Sequence, residues 1–323
     1  MLAILKSEGG YVSGEKISGA LGVSRAAVNA AIKSLRDEGY EINSSTNRGY
    51  ELAAGPNILT SGELLCRLGE ARMERVVCLD TVDSTNTHLR LLAQNGAPEG
   101  QIVVSNCQTG GRGRLGRPFL SPPDVGVYMS VLLRPEGSPA ETANITAWTA
   151  EAVCGAVEAA CGIRPGIKWV NDLILDRRKT AGILTEMSVE SESGSVQYVV
   201  IGVGVNVNQQ EADFPPELRN IAGSLRMASG GEVSRAELAA EMVRSFDALI
   251  MDFPNEREGC LAVYRRDCLT PGNRVLIRRG DTEREAFAEG IGDDFGLVVR
   301  YDDGVTETLS SGEVSVRGLL GYL

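Results

Sequence analysis

Over residues 1–54 the apolar positions recur at helical spacing in three short runs and then switch to alternation. Leu2 and Leu5 point inward at the end of a first helix, Met1–Ser7. Ser13 or Gly14 opens a second, with Ile17, Ala20 and Leu21 on one face. Gly22-Val23 supplies a turn, and Ser24 can cap a third helix over Arg25–Glu38, whose apolar stripe is Ala27/Val28, Ala31/Ile32 and Leu35. Gly39 stops it, and short strands around Ile42 and Tyr50–Leu52 flank the polar loop Asn43–Gly49. Helix, glycine turn, helix and hairpin is the plan of a winged helix-turn-helix. On that plan Ser24, Arg25, Asn29, Lys33 and Arg36 face a DNA major groove and Arg48 on the wing reaches phosphate, the alternative being a winged helix that docks protein.

Ala53–Asn57 reads as a linker, and Thr60 with Glu63 as a capping box opening the next domain. The pattern then alternates strands and helices. Strands are predicted at Val76–Leu79, Ile102–Val104, Val125–Leu133, Ile167–Asp172, Arg178–Leu184 and Tyr198–Val207. A helix starts at Asp83-Ser84-Thr85-Asn86 and runs through Leu89 and Leu92 to Asn95-Gly96. Another covers 141–161 with Ile145, Trp148, Val153 and Val157 inward, and a third follows the Ser234/Glu237 capping box with Leu238, Met242, Phe246 and Ile250 inward. Residues 208–231 are loop-rich. From Pro271 the chain changes to five short alternating strands, Arg274–Arg278, Glu285–Gly290, Leu297–Tyr301, Thr306–Leu309 and Val314–Arg317, the pattern of a small SH3-like β-barrel. The predicted fold class is an α/β (α+β) central domain with a mixed sheet, preceded by the winged helix-turn-helix and followed by that barrel. The expected boundaries are 1–54, 60–270 and 271–323.

Composition narrows the function classes. A net charge of −11 argues against a general nucleic-acid binder, but residues 1–54 are balanced and the acid excess lies entirely in 55–323. Seven scattered cysteines without a Cys-x-x-Cys pair predict reduced thiols in a cytoplasmic protein, with no zinc site and no disulfide framework. No signal peptide or membrane span is expected, because only Leu2–Leu5 precede Lys6.

The chemistry concentrates in Gly110-Gly111-Arg112-Gly113-Arg114-Leu115-Gly116-Arg117. Glycines let a backbone approach an anion closely, and arginines add paired donors suited to phosphate or carboxylate. The stretch is neither a Walker loop nor a dinucleotide fingerprint, and by itself it equally suits a solvated basic loop or an RNA-touching segment. Its neighbours change that balance. Lys168 can meet phosphate, and Asn171 and Asp172 can hold a metal-bridged phosphate or a ribose. Gly202-x-Gly204-x-Asn206 offers small residues on which a base or ribose could lie. His88, the only histidine, has no evident partner and reads as a surface residue.

Four features in sequence, Asp83-Ser84-Thr85-Asn86, Gln108 with the Gly-Arg loop, Lys168-Trp169-x-Asn171-Asp172, and Arg178-Lys179-x-x-Gly182, resemble the biotin–protein ligases. With the leading winged helix, the whole chain resembles the bifunctional ligase/biotin operon repressors of that family. The resemblance implies activation of biotin by ATP and Mg2+ to biotinyl-5′-AMP, then transfer to a lysine of a biotin carboxyl carrier protein. It implies that Ser84, Thr85, Asn86 and Gln108 bind the ureido head, with Arg112, Gly113, Arg114 and Gly182 completing the biotin site. Lys179 is the implied catalytic residue, touching the biotin carboxylate and the α-phosphate. Arg114, Lys168, Asn171, Asp172, Asn206 and Arg317 fall on the nucleotide side, and no resident metal site is implied. The implied partners are the carrier protein, operator DNA and a second copy of the chain when biotinyl-AMP is bound, with no membrane. Two departures stand out: Leu115 sits where relatives often carry a second basic residue, and 209–231 has no tryptophan to cover adenine. Lipoate–protein ligase, a non-catalytic ligand-sensing regulator, and a ligase whose winged helix represses nothing are the alternatives.

Overall fold

The structure, a computed structural model, describes residues 1–136 and 138–310 and the backbone of the strand 315–318. It divides into two compact units, Met1–Glu74 and Arg75–Leu323.

In the first unit, helices α1 (Leu2–Glu8), α2 (Gly14–Leu21) and α3 (Arg25–Asp37) precede the hairpin β1 (Glu41–Ser45) and β2 (Gly49–Ala54), followed by α4 (Ser61–Leu68) and α5 (Glu70–Met73). Ser13 and Ser24 cap α2 and α3 as their sequence positions predict. The core is Leu2, Leu5, Val12, Ile17, Val28, Ile32, Tyr40 and Ile42. It is narrower than the stripe expected, since Ala20, Leu21 and Ala27 are exposed. A three-helix unit this small has one seam per helix, and Ile17 and Val28 already fill it.

The Thr60 cap forms, but Glu63 does not turn back to complete a box. Its carboxylate is buried and accepts hydrogen bonds from Lys6 Nζ at 2.6 Å, Tyr40 Oη at 2.5 Å and Arg67 Nη1, so that it fastens α4 to the winged helix. Burial opposes ionisation, yet the bonds from Lys6, Tyr40 and Arg67 prevail and hold Glu63 below the usual glutamate range.

The second unit is built on a seven-stranded mixed sheet. In chain order it comprises β3 (Val76–Val82), α6 (Thr85–Gln94), β4 (Ile102–Gln108), β5 (Gly126–Leu133), α7 (Pro139–Thr142) and α8 (Ile145–Cys161). Next come β6 (Gly166–Lys168), β7 (Asp172–Leu175), β8 (Arg178–Val189), β9 (Val196–Asn206), α9 (Leu225–Ser229), α10 (Arg235–Asp252) and α11 (Arg257–Asp267). The strand order is β3-β4-β5-β9-β8-β7-β6, with only β3 and β4 parallel, joined by the crossover helix α6. The helix expected over 141–161 is two, because Ala143-Asn144 separates α7 from α8. The predicted strand 167–172 likewise breaks between β6 and β7, and α11 is an addition to the expected elements. Ile250, expected inward on α10, is half-exposed, and Leu249 takes the buried position.

Successive residues of a strand face opposite sides, and β5, β9 and β8 use this to separate core from site. Val127, Met129, Val131, Ile201, Val203 and Val205 are buried on the side covered by α8 and α10. On the other side α6 packs Leu89 and Ala93 against Val103, Leu132 and Val200.

The last strands, β10 (Arg274–Arg279), β11 (Thr282–Ile291), β12 (Leu297–Arg300), β13 (Thr306–Leu309) and β14 (Ser315–Gly318), form one antiparallel sheet in the order β13-β12-β11-β10-β14. Phe295 in its β11–β12 turn meets the rings of Trp148 and Tyr264, and Trp169 Nε1 donates to its carbonyl at 2.9 Å. That joins the small sheet to the back of the large one. All seven cysteines are free. Burial raises the thiol pKa of Cys154, and pushes Cys260 up to about 12 and Cys268 to about 11.

Because Glu63 is held low, its contribution to stability is present above the ordinary glutamate pKa and is lost as pH falls through the depressed one. Glu63→Ala should cost the first unit about 2–3 kcal/mol at neutral pH, the scale of hydrogen bonds to a charged group. The loss should shrink in acid. Hydrogen exchange of the backbone amides of residues 1–74 at neutral and acid pH measures both.

Candidate functional site

Rows of paired residues cross the open face of the large sheet, and the site is laid out along them. Leu132 pairs with Val200, Ser130 with Gly202, which pairs with Leu184, and Tyr128 with Gly204, which pairs with Gly182. The first row is apolar and carries α6. The second receives the amide of Asn86, at the start of α6; a Cβ on Gly202 would overlap that amide. The third receives the ring of Phe119, which lies against Gly204 and reaches Gly182. The glycines read as a platform for a base therefore carry, in this structure, an asparagine and a phenylalanine of the chain itself.

Around Asn86 the polar groups satisfy one another. Thr85 donates from its N–H (2.9 Å) and hydroxyl (3.1 Å) to Gln108 Oε1, and Gln108 Nε2 donates to Ser121 Oγ at 2.9 Å. Ser130 Oγ stands 2.7 Å from Thr85 Oγ1 and 2.6 Å from Asn86 Oδ1. Ser84 caps α6 by accepting from the Thr87 N–H. Ser84, Thr85, Asn86, Ser121 and Ser130 are all buried.

The Gly-Arg stretch is a closed turn. Gly113 N–H donates to Arg117 O and Phe119 N–H to Gly111 O, at 2.8 and 2.9 Å. A Cβ on Gly111 would come within 2.5 Å of Phe119 O and 2.6 Å of Ser121 Oγ, so only glycine fits there. Leu115, at φ 57°, is 73% exposed at the tip. Arg112 turns back to Thr87 Oγ1 (3.0 Å) and Glu186, whereas Arg114 reaches Asn171 Oδ1 at 3.3 Å. Burial draws the Arg114 pKa down, with Asp172 opposing, but a guanidinium stays charged at any working pH.

Lys179 Nζ donates to Asp172 Oδ1 at 2.5 Å, and Asn171 Nδ2 donates to Ile183 O. Asn206 holds the Gly223 carbonyl and accepts from Gln209. These residues share one cavity of about 590 Å³. It runs from Thr85, Asn86 and Gln108, past Arg114, Lys179 and Gly182, to Lys168, Asn171, Asp172 and Asn206. All the predicted small-molecule residues whose side chains are described gather around it. Arg317 lies on β14 opposite Leu276, with its side chain outside the described residues.

Sequence reasoning missed Phe119, Ser121, Ser130 and Glu186, and it assigned nothing in 209–231. There Phe214, Leu218 and Ile221 form an apolar end of the cavity without a tryptophan. Ser130 had a signal, a lone hydroxyl in the apolar run Gly126–Leu133. His88 is half-buried on α6.

In the first unit Ser24 caps α3, Arg25 pairs with Glu15 at 3.0 Å, and Asn29 Oδ1 accepts from Tyr50 Oη at 2.5 Å. Lys33 is exposed. Arg48 stands 4.2 Å above the Tyr11 ring. Arg36 bends onto the hairpin, donating to Ile42 O and Ser44 Oγ, which engages it with the wing instead of leaving it outward.

A mixed sheet carrying a cavity with a hydrogen-bonding head, a cationic middle and an apolar end, with a winged helix before it in the chain and a small β-sheet after it, is the arrangement of a ligand-binding domain joined to a DNA-type module. Three family models match in that order: the HTH domain over residues 1–51, the Biotin/lipoate A/B protein ligase family over 78–206, and the Biotin protein ligase C terminal domain over 271–317. The bifunctional ligase/repressor BirA of Bacillus subtilis is 42% identical over 93% of this chain and 93% of its own length. BirA of Escherichia coli is 29% identical over 98% of this chain and 96% of its own. The biotin protein ligase from Aquifex aeolicus, solved in complex with biotin and ATP, is 27% identical with a TM-score of 0.64, covering 76% of this chain and 99% of that one. The chain belongs to the biotin protein ligase family, among its bifunctional ligase/repressor members.

Gly202→Ala should displace the Asn86 amide, costing about 1–3 kcal/mol, the usual penalty of overpacking. Thermal denaturation of this variant reads that cost, and a melting temperature equal to wild type would mean that the amide has room to spare.

Proposed function

We propose that the chain is a biotin–protein ligase and a biotin-responsive repressor. The observation that carries the ligase reading is one cavity with a hydrogen-bonding head, a cationic waist at Lys179 and Arg114, and an apolar far end. Thr85, Asn86 and Gln108, aligned by Ser84, hold the ureido ring, and the turn containing Arg112, Gly113 and Arg114 closes over the carboxylate and phosphates. Gly182 leaves room beside the Lys179 side chain, which a Cβ there would meet at 3.1 Å. Lys168, Asn171, Asp172 and Asn206 serve the nucleotide, with Arg317 from the last strand.

The biotin carboxylate oxygen attacks the α-phosphorus of ATP as the bond to pyrophosphate breaks, giving biotinyl-5′-AMP. Two anions must meet, and Lys179 supplies a fixed positive charge where their charge concentrates. The neutral ε-amine of a carrier-protein lysine then attacks the acyl carbon, AMP leaves, and the amine proton is lost to solvent. Mg2+ enters as part of the MgATP substrate. The donors Asn171 and Asp172 are oxygen groups of the kind that supplements phosphate ligation of Mg2+. Among the described residues no cluster of three or more acidic, histidine or cysteine side chains forms a separate metal cage.

The head of the cavity argues for biotin over lipoate. A dithiolane offers no strong hydrogen-bond partner, so burying Thr85, Asn86 and Gln108 against it would be costly. The division of labour proposed is 1–54 for DNA, 60–270 for ligation and 271–323 for the terminal barrel, with α4 packed onto the DNA-binding unit. Free thiols suit the cytoplasm. Among the described residues no helix is long and apolar enough to cross a membrane.

ATP–pyrophosphate exchange should require biotin and ignore lipoate. Lys179→Ala should lower it ~10²–10³-fold, the scale of losing one transition-state charge partner. Exchange supported by lipoate alone would reverse the assignment. For the repressor half, one winged helix offers few base contacts, so a two-fold operator bound by a dimer is expected. Biotinyl-AMP should strengthen dimerisation and operator binding together, as sedimentation and a binding assay on DNA upstream of biotin genes would register. Equal operator affinity with and without biotin plus ATP would leave a plain ligase.

A further inference from the structure

We propose that Glu186 is a positioning residue that sets the donor–acceptor polarity of the head pocket and couples it to the Gly-Arg turn. The proposal rests on the ligase reading and extends it to a residue that does not line the cavity. Glu186 lies behind the cavity wall, on β8, where it faces the outer groove with Thr87 and His88.

A primary amide can be placed in either of two orientations, exchanging donor for acceptor. An ionised carboxylate only accepts. Glu186 Oε2 stands 2.8 Å from the Asn86 amide nitrogen, and the Leu184 carbonyl stands 3.3 Å from it. Both partners demand the NH2 group, so the Asn86 carbonyl must face Ser130 and the bare backbone of Gly202. The one hydroxyl proton of Ser130 then faces two acceptors, Asn86 Oδ1 at 2.6 Å and Thr85 Oγ1 at 2.7 Å, which ties the Asn86 carbonyl to the Thr85–Gln108 pair. On the opposite flank Gln108 is fixed the same way, by Ser121 on its nitrogen side and Thr85 on its oxygen side. On the Asn86 flank, the placement of donor and acceptor therefore begins at Glu186.

The same carboxylate receives Arg112 Nη2 at 3.2 and 3.4 Å, while Thr87 Oγ1 receives Nη1 at 3.0 Å. Both partners of the ion pair are about a third exposed, so its own energy is small. Its value is directional. Arg112 is bridged to Pro118 within the turn, and the turn ends in Phe119 on the Gly204 platform. A tether on Arg112 thus holds the whole closed turn in register with the amide beneath it.

Glu186→Gln keeps size and removes the restriction, because a glutamine can donate and so permits Asn86 to reverse. In the full-length protein this variant should raise the biotin Kd ~10–100-fold by calorimetry, equivalent to ~1.4–2.8 kcal/mol. In pyrophosphate exchange the KM for biotin should rise similarly, with kcat and the KM for ATP within about threefold of wild type. Without any ligand, trypsin should cut after Arg114 at least severalfold faster in Glu186→Gln and Glu186→Ala. Biotin affinity equal to wild type in Glu186→Gln would overturn the polarity assignment, and unchanged cleavage in both variants would overturn the tether. A general folding defect would instead lower kcat in proportion to the folded fraction and leave both KM values unchanged, which also counts against a positioning role. Wild-type protein that binds no biotin would instead overturn the ligase reading, and the ligand-free proteolysis still decides the tether.

Discussion

The seat of the Asn86 amide on Gly202 is the contact around which the second unit is arranged. It requires three neighbouring strands in one register, so that Ser130, Gly202 and Leu184 share a row, and it requires α6 to begin directly above that row. A buried polar cluster is unfavourable unless each member finds its partners. Here Ser130, Thr85, Gln108, Ser121 and Glu186 supply them within the chain. The head of the cavity is consequently lined by groups that hold one another in place through the chain's own hydrogen bonds.

Charge is handled by a second arrangement. The chain carries a net −11, yet Arg112, Arg114, Arg117, Lys168 and Lys179 are brought near one cavity. Such a positive pocket in an acidic protein draws small anions while its surroundings repel polyanions. Asp172 gives Lys179 a countercharge, and Asn171 gives Arg114 a neutral partner. These contacts hold Lys179 and Arg114 in place beside the cavity.

Much of this was legible along the chain because the signals are local. Caps at Ser13, Ser24, Thr60 and Ser234 marked helix starts, and alternation marked the five terminal strands. Residues of all four motifs line one cavity. What was not legible depends on pairing across distance. Glu186 looks like any polar residue of a long strand until β8 is set beside β9 and α6 is laid over both. Phe119 looks like an ordinary apolar residue after a basic loop until the turn folds back over Gly204. Leu21 misled because spacing defines a helix face but not how much of it a small core can cover. The helix α11 escaped because Cys260, Leu261 and Tyr264 are few apolar anchors among charged residues.

The cysteines acquire a chemical meaning from their burial. An acyl phosphate ester attacks whichever nucleophile is deprotonated and within reach, and for a thiol the reactive form is the thiolate. Each unit by which a pKa rises removes about nine-tenths of the thiolate remaining at neutral pH. Burial raises the pKa of Cys154, Cys260 and Cys268 and so lowers the thiolate fraction of these three sulfurs, while Cys66, Cys78, Cys107 and Cys161 are half-buried. The same burial that strengthens the hydrophobic core gives these three thiols resistance to alkylation, to peroxide and to self-inflicted thioester formation.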